Sequence, residues 1–329
     1  MKKIIFFNLF AIIIIFFSLE IFLRFFNIIT LQGFDKNSFF RDAGIIYHHP
    51  NILKTVMGKK IKTDNNGFRI PLENFDYNNN LETILILGDS VSFGVGVDEK
   101  DTFVGLLRSK IKYNLYNSSV AGHRLENYSF LLEKYHKQFP KIDKVFIFLC
   151  LNDIISADGV VRKDRLKIQS ENKNFINNIK TKSLFIKVNF YLREKSTVFN
   201  LAKAVGTQNI KRNFDFINPY YKNELILKHF EKNIKKIIDY SNINKINTSF
   251  VLLPYKYQIK KNCDIELMFP QSQINKIFSK FNYKLIDFSR EFCDKNNNNK
   301  LFLNFDPMHL SINGHMFVSQ LLINEGIIN

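Results

Sequence analysis

The chain has 329 residues, of which 46% are hydrophobic and 23% charged, and its formal net charge is +17. That balance excludes an intrinsically disordered chain and requires a sizeable core. The charge does not make a nucleic-acid binder, because no nucleic-acid motif accompanies it, and abundant Lys, Asn, Ile and Phe without any Trp point to a coding bias; a basic face toward anionic lipid or polysaccharide stays open.

Read from the N-terminus, Ile4 to Ile29 is almost wholly apolar behind Lys2 and Lys3 and is interrupted only by Asn8, Ser18, Glu20, Arg24 and Asn27. Residues 1–30 are therefore expected to form a membrane anchor. Its charge-free part, Ile4 to Leu19, spans about 24 Å as a helix against a hydrocarbon core of about 30 Å, so Glu20 and Arg24 are expected at or near the far interface. No small-residue cleavage site follows, which favours an uncleaved anchor over a signal peptide. The positive-inside rule puts the N-terminus in the cytoplasm and the rest outside, in the periplasm if the envelope has two membranes, although Arg24, Lys36 and Arg41 weaken the asymmetry.

Residues 31–80 read as a linker or N-terminal extension. His48-His49-Pro50 is expected as a surface turn, since neighbouring side chains diverge and no third metal ligand accompanies them, and Asn66-Gly67 as a tight turn. From residue 83 the pattern changes. Thr83 to Leu87, Val145 to Leu151 and Ser249 to Leu253 are strand-length apolar runs, the mark of parallel strands buried on both faces, with Tyr113 to Tyr116 and Tyr283 to Phe288 as weaker candidates. Thr102 to Ile111, Glu126 to Lys137, Lys222 to Tyr240 and Gln273 to Phe281 carry helical spacing, and a last helix is expected over about Asn313 to Asn324. This alternation predicts one α/β domain over 81–329, a three-layer α/β/α sandwich with a mostly parallel, flavodoxin-like sheet and its ligand site at the carboxyl ends of the strands. Residues 158–219 break the alternation and hold thirteen Lys or Arg against five acids. They are expected as a basic insertion, either a cap facing an anionic substrate or membrane or a solvated helical segment.

The three cysteines, Cys150, Cys263 and Cys293, show no zinc-ligand spacing and exclude a multi-disulfide framework. Cys263 and Cys293 can pair in an oxidising compartment, whereas Cys150 lies in an apolar run and is expected as a buried small hydrophobe.

Directly after the first predicted parallel strand comes Gly88-Asp89-Ser90, which puts a serine where such sheets build sites, although Asp89 and Ser90 also suit a helix start. Near the C-terminus, Asp306 and His309 stand three positions apart before the last helix. The acid can accept the imidazole Nδ1 proton and leave Nε2 as a base.

These residues resemble the GDSL/SGNH hydrolase family over most of the chain from about Leu81 to the end. The blocks that carry the resemblance are Gly88-Asp89-Ser90, Gly122 after the second strand, Asn152-Asp153 after the third, and Asp306-x-x-His309. One departure is Cys150, where the family commonly has Gly two residues before the Asn. The resemblance implies a serine ester hydrolase with Ser90 as nucleophile, His309 as base and Asp306 as its orienting acid, and an oxyanion hole from the backbone N–H groups of Ser90 and Gly122 and the Asn152 amide. Ser92, Asp89 and Asp153 are expected to shape loops, His123 to be an exposed loop histidine, and His315 to face elsewhere. No metal and no organic cofactor is required. The expected substrate is an acyl ester, foremost short O-acetyl groups of a cell-surface glycan. The alternatives are an O-acyltransferase using the same triad, a lipase or lysophospholipase, and an inactive glycan-binding assembly protein.

Overall fold

The structure is a computed structural model and describes residues 2–139, 141–155, 183–295 and 298–328. It opens with α1 (Lys2–Phe25), a 24-residue helix whose side chains up to Leu19 are mostly exposed. At about 36 Å it is long and apolar enough to cross a bilayer. Its last turns are docked on the rest of the chain. The Glu20 carboxylate accepts hydrogen bonds from Ser196 Oγ (2.9 Å) and the backbone N–H groups of Thr197 (2.8 Å) and Val198 (3.0 Å), and pairs with Arg24 Nε at 2.7 Å.

The stretch expected as linker-like carries two small antiparallel sheets instead. One joins β1 (Phe39–Asp42) to β2 (Ile45–His48), and the other joins β3 (Leu53–Val56), β4 (Lys59–Thr63) and β5 (Arg69–Ile70). These strands are two to five residues long and mix Lys, Arg and Thr with apolar residues, so no continuous apolar run marks them. The Asn66-Gly67 turn links β4 to β5. Gly67 has φ +81°, and a Cβ there would lie 2.5 Å from the His48 carbonyl oxygen, so only glycine fits.

Beyond this extension the chain alternates β6 (Thr83–Leu87), α2 (Ser90–Phe93), α3 (Phe103–Arg108), β7 (Asn114–Asn117), α4 (Leu125–Gln138) and β8 (Ile142–Leu149). The expected basic insertion over 158–219 falls outside the described residues before Ser183. From there it forms α5 (Ser183–Lys195), α6 (Thr197–Gly206) and α7 (Asn209–Ile217). The chain then runs through α8 (Glu224–Ile243), β9 (Asn247–Leu252), α9 (Lys256–Lys260), α10 (Phe269–Lys280), β10 (Leu285–Asp287), α11 (Ser289–Asp294) and α12 (Ile312–Asn324). A disulfide joins Cys263, after α9, to Cys293 in α11, with Cα atoms 6.1 Å apart. Cys150 is buried and free.

Five strands form the central sheet in the order β10-β9-β8-β6-β7, and every pairing is parallel. Successive side chains on a strand point to opposite faces, and the core divides accordingly. Leu85, Leu87, Ile147 and Leu149 pack with α4, α8 and α10, whereas Ile84, Ile86, Phe146 and Phe148 pack with α3, α11 and α12. The result is the expected three-layer α/β/α sandwich. Because β7 and β8 flank β6 on opposite sides, the order reverses at the carboxyl end of β6, where open α/β sheets place their ligand sites.

Candidate active site

Ser90 is the first residue of α2, immediately beyond the reversal point. The turn that delivers it is crowded. A Cβ on Gly88 would lie 1.9 Å from Ser92 Oγ and 3.3 Å from the Phe148 carbonyl oxygen, so the strand can leave the sheet there only with glycine. Asp89 caps α2, accepting from Val91 N–H at 2.8 Å through Oδ1 and from Asn152 Nδ2 at 2.9 Å through Oδ2. Burial raises its pKa against those hydrogen bonds.

His309 reaches Ser90 from the loop before α12. Its Nε2 lies 2.8 Å from Ser90 Oγ and its Nδ1 2.8 Å from Asp306 Oδ2. The other carboxylate oxygen, Oδ1, accepts from the backbone N–H groups of Met308 (2.9 Å) and His309 (2.8 Å), which fixes the acid. Burial alone would lower the imidazole pKa, but the charge and hydrogen bond of Asp306 outweigh it and raise the value above the ordinary one. Asp306 is held below the usual carboxylate range: burial works the other way, and the His309 contact and its backbone donors prevail. Lys256 clasps the same loop, donating from its backbone N–H to the Pro307 carbonyl at 2.9 Å and from Nζ to the Leu303 carbonyl at 2.9 Å.

Gly122, after β7, faces the same cavity with φ +93°, a backbone conformation glycine adopts without strain. Among the described residues, the backbone N–H groups of Ser90 and Gly122 donate to no protein acceptor. Asn152 is placed differently. It follows β8 on the turn Leu151–Ile154, but one of its amide hydrogens is committed to Asp89 and it does not line the cavity. The turn is rigid: Tyr255 donates to Asn152 Oδ1 (3.2 Å), Tyr221 to the Leu151 carbonyl (2.8 Å) and Tyr128 to Asp153 (2.9 Å), whose other oxygen accepts from Cys150 N–H at 2.7 Å. Cys150 thus carries the backbone donor for Asp153, and its side chain is buried at the place where the family commonly has Gly.

Two histidines depart from expectation, and a third, His315, faces away from the cavity as expected. His48 is buried, not on a surface turn, with its ring 4.5 Å from that of Phe39 and 4.6 Å from that of Phe93. His123 is buried rather than exposed, its Nε2 2.6 Å from the Ile46 carbonyl oxygen of the extension. His315 is fully buried beside Phe103. Burial lowers their pKa values to about 3, 4 and 3, respectively.

The cavity has a volume of about 760 Å³, within the range of small-molecule sites. Ser90, Gly122, Asp306 and His309 form one wall; Phe34, Phe39, Phe40, Ile46 and Met57 of the extension form an apolar one; and Arg193, Lys203, Asn209 and Arg212 of the insertion close a third. The sequence offered no signal for the extension wall, whose residues reach the site only through the pairing of its short strands. A further residue missed was Arg69. It is fully buried, lies 4.7 Å above the Phe93 ring, and donates to the carbonyls of Phe93 (2.5 Å), Gly94 (2.7 Å) and Val97 (2.6 Å), at and just past the end of α2. Among the described residues, no group of three His, Cys, Asp or Glu side chains is placed to share a metal ion.

No family model and no curated protein matches the sequence. Among solved structures, the chain is similar to an α/β hydrolase from the metagenome of Lake Arreo, Spain, at 13% identity over 75% of this chain and 96% of that one, with a TM-score of 0.42. It is similar to a lipase/acylhydrolase from Enterococcus faecalis at 13% identity, over 75% and 97% of the two chains, with a TM-score of 0.41. A member of the lipolytic G-D-S-L family from Veillonella parvula matches at 12% identity over 74% and 96%, with a TM-score of 0.40.

Proposed function

We propose that this chain is a serine ester hydrolase that works through an acyl-enzyme on Ser90. The observation that carries the reading is the continuous relay from Asp306 through His309 to Ser90, with both links at 2.8 Å, opening into a cavity large enough for an ester. Ser90 Oγ attacks the carbonyl carbon while His309 Nε2 takes its proton, and Asp306 stabilises the imidazolium. The oxygen that becomes negative is received by the free N–H groups of Ser90 and Gly122. Each such donor is worth about 3 kcal/mol in the transition state. Asn152, which does not line the cavity, acts in this reading by bracing Asp89, the cap of the helix that begins at Ser90. Collapse returns the proton to the leaving alcohol, and water then releases the acid.

For the substrate we propose acyl esters met outside the cytoplasm, foremost O-acetyl groups of a cell-surface glycan, with α1 as an uncleaved membrane anchor. The basic start of α1, the missing cleavage pattern and the Cys263–Cys293 disulfide, which fits an oxidising compartment, support that location. The apolar wall from Phe34 to Met57 favours a second reading, a lipase or lysophospholipase with a longer acyl chain. Transfer to a sugar hydroxyl uses the same acyl-enzyme.

The test uses the full chain in detergent micelles and follows release of p-nitrophenol from acetyl and longer acyl esters. Turnover that disappears in Ser90→Ala supports the reading, and equal rates in the two proteins refute it. A preference for long chains selects the lipase reading. Labelling of Ser90 by a fluorophosphonate without turnover selects transfer to an acceptor missing from the assay.

A further inference from the structure

The cavity is strongly asymmetric in charge. Arg41, Arg193, Lys203 and Arg212 line it, and among the described residues the only acid on its walls is Asp306, which is already committed to His309. Among the described residues, neither Arg193 nor Arg212 pairs with a carboxylate. Their hydrogen bonds go to neutral amides. Arg193 Nη2 donates to Gln32 Oε1 at 3.0 Å, while its Nε is buried with no partner among the described residues. Arg212 Nη2 donates to Asn209 Oδ1 at 2.9 Å, and Asn209 Nδ2 donates in turn to the Phe305 carbonyl at 3.2 Å, one residue before Asp306. Arg212 is therefore tied to the loop that carries the acid and base. Burial lowers the pKa of Arg193 and the charge of Arg212 lowers it further, while burial lowers that of Arg212.

Two guanidiniums on one cavity wall, bonded to neutral amides and with no carboxylate partner among the described residues, suit an oxyanion, because a planar fork matches carboxylate and phosphate oxygens. We propose that Arg193 and Arg212 form an anion subsite, and that the ester processed at Ser90 bears a carboxylate or phosphate on the part that reaches this wall. This rests on the reading of Ser90 as nucleophile and names the substrate class for it. An acidic sugar and a lipid phosphate both supply the required group.

The test measures kcat/KM for matched pairs on the full chain in neutral detergent. Mono(4-nitrophenyl) adipate is compared with 4-nitrophenyl hexanoate for charge on the acyl side, and 4-acetoxybenzoate with its methyl ester for charge on the alcohol side. The expected result is a preference for the anionic member of at least one pair. That ratio falls about tenfold in each of Arg193→Gln and Arg212→Gln, equal to about 1.4 kcal/mol per arginine, and also falls when salt is raised to about 0.5 M. The salt series on the unmodified chain gives an independent reading if a variant fails to fold. O-acetylated polygalacturonate oligomers and lysophosphatidylglycerol, each beside a neutral counterpart, then distinguish the sources. Activity that depends on Ser90 but shows no anionic preference, or a ratio unchanged by both substitutions and by salt, overturns the anion subsite and leaves the esterase reading standing. Activity that survives Ser90→Ala overturns both.

Discussion

Replacing Arg69 with Met tests how Ser90, the proposed nucleophile, is held. The guanidinium donates to three carbonyls at 2.5, 2.7 and 2.6 Å in a fully buried position. Methionine fills similar space and donates nothing, so the carbonyls of Phe93 and Val97 lose their partner and that of Gly94 keeps only the Val97 N–H at 3.3 Å. At about 1–2 kcal/mol for each of the two orphaned acceptors the loss is about 3 kcal/mol. For a chain of this size that lowers Tm by roughly 4–5 °C. The same loop is bonded to Ser90, since the backbone N–H groups of Gly94 and Val95 both donate to its carbonyl at 3.2 Å. Loosening it should lower kcat about tenfold at temperatures well below the melt, with KM changed less, because a misplaced nucleophile loses orientation before it loses binding. Differential scanning calorimetry and ester hydrolysis at a fixed low temperature measure the two effects. A variant that melts with the unmodified chain and turns over at the same rate would refute the clamp.

Two further outcomes follow from the buried ionisable groups. His309 must be neutral to accept the Ser90 proton, and its pKa is raised, so the acid limb of kcat/KM is expected above the ordinary imidazole value of about 6.5. Asp306→Asn removes the charge that raises it and presents an amide N–H to Nδ1, favouring the tautomer with its proton on Nε2; kcat should fall by about 10⁴-fold and the residual acid limb should move to lower pH. His48, His123 and His315 have folded pKa values of about 3, 4 and 3, below the unfolded value, so the unfolded chain binds more protons. Their stabilising effect is full above about pH 6.5 and is lost as pH falls toward those folded values, at up to about 4 kcal/mol per pH unit for the three together. His315, with both ring nitrogens unpartnered among the described residues, offers the cleanest check: His315→Phe should flatten the acid side of a chemical-denaturation series by about a third, and an unchanged slope would contradict the assignment.

Some of this architecture was legible because single stretches carried the signal. Thr83–Leu87 is apolar at nearly every position since both its faces are buried, and the observed strand has the expected bounds. Asp306 and His309 are close in the chain, so their spacing alone brought acid and base within reach of one another. The structure adds Ser90 at 2.8 Å, a contact across 219 positions that only the reversal of strand order beside β6 produces. What stayed hidden depends on partners far away in sequence. His123 is buried because the Ile46 carbonyl of the extension reaches it, and Arg69 is tolerated inside because three carbonyls of a distant loop converge on it. The extension itself was unreadable for a different reason: strands as short as Arg69–Ile70 have no period to detect.

The attachment of Glu20 to the start of α6 bears on where the site can work. In the proposed orientation the carboxylate lies five residues from the end of α1, about 7.5 Å along the helix axis, so no flexible leash separates the bilayer from the body of the protein. The cavity is then mounted at a fixed altitude and cannot sweep a volume of the surrounding space. Esters far along an extended polymer stay beyond its reach, while those presented near the surface are met repeatedly as the protein diffuses in two dimensions. Its rate is accordingly set by the areal density of substrate at that height rather than by a bulk concentration.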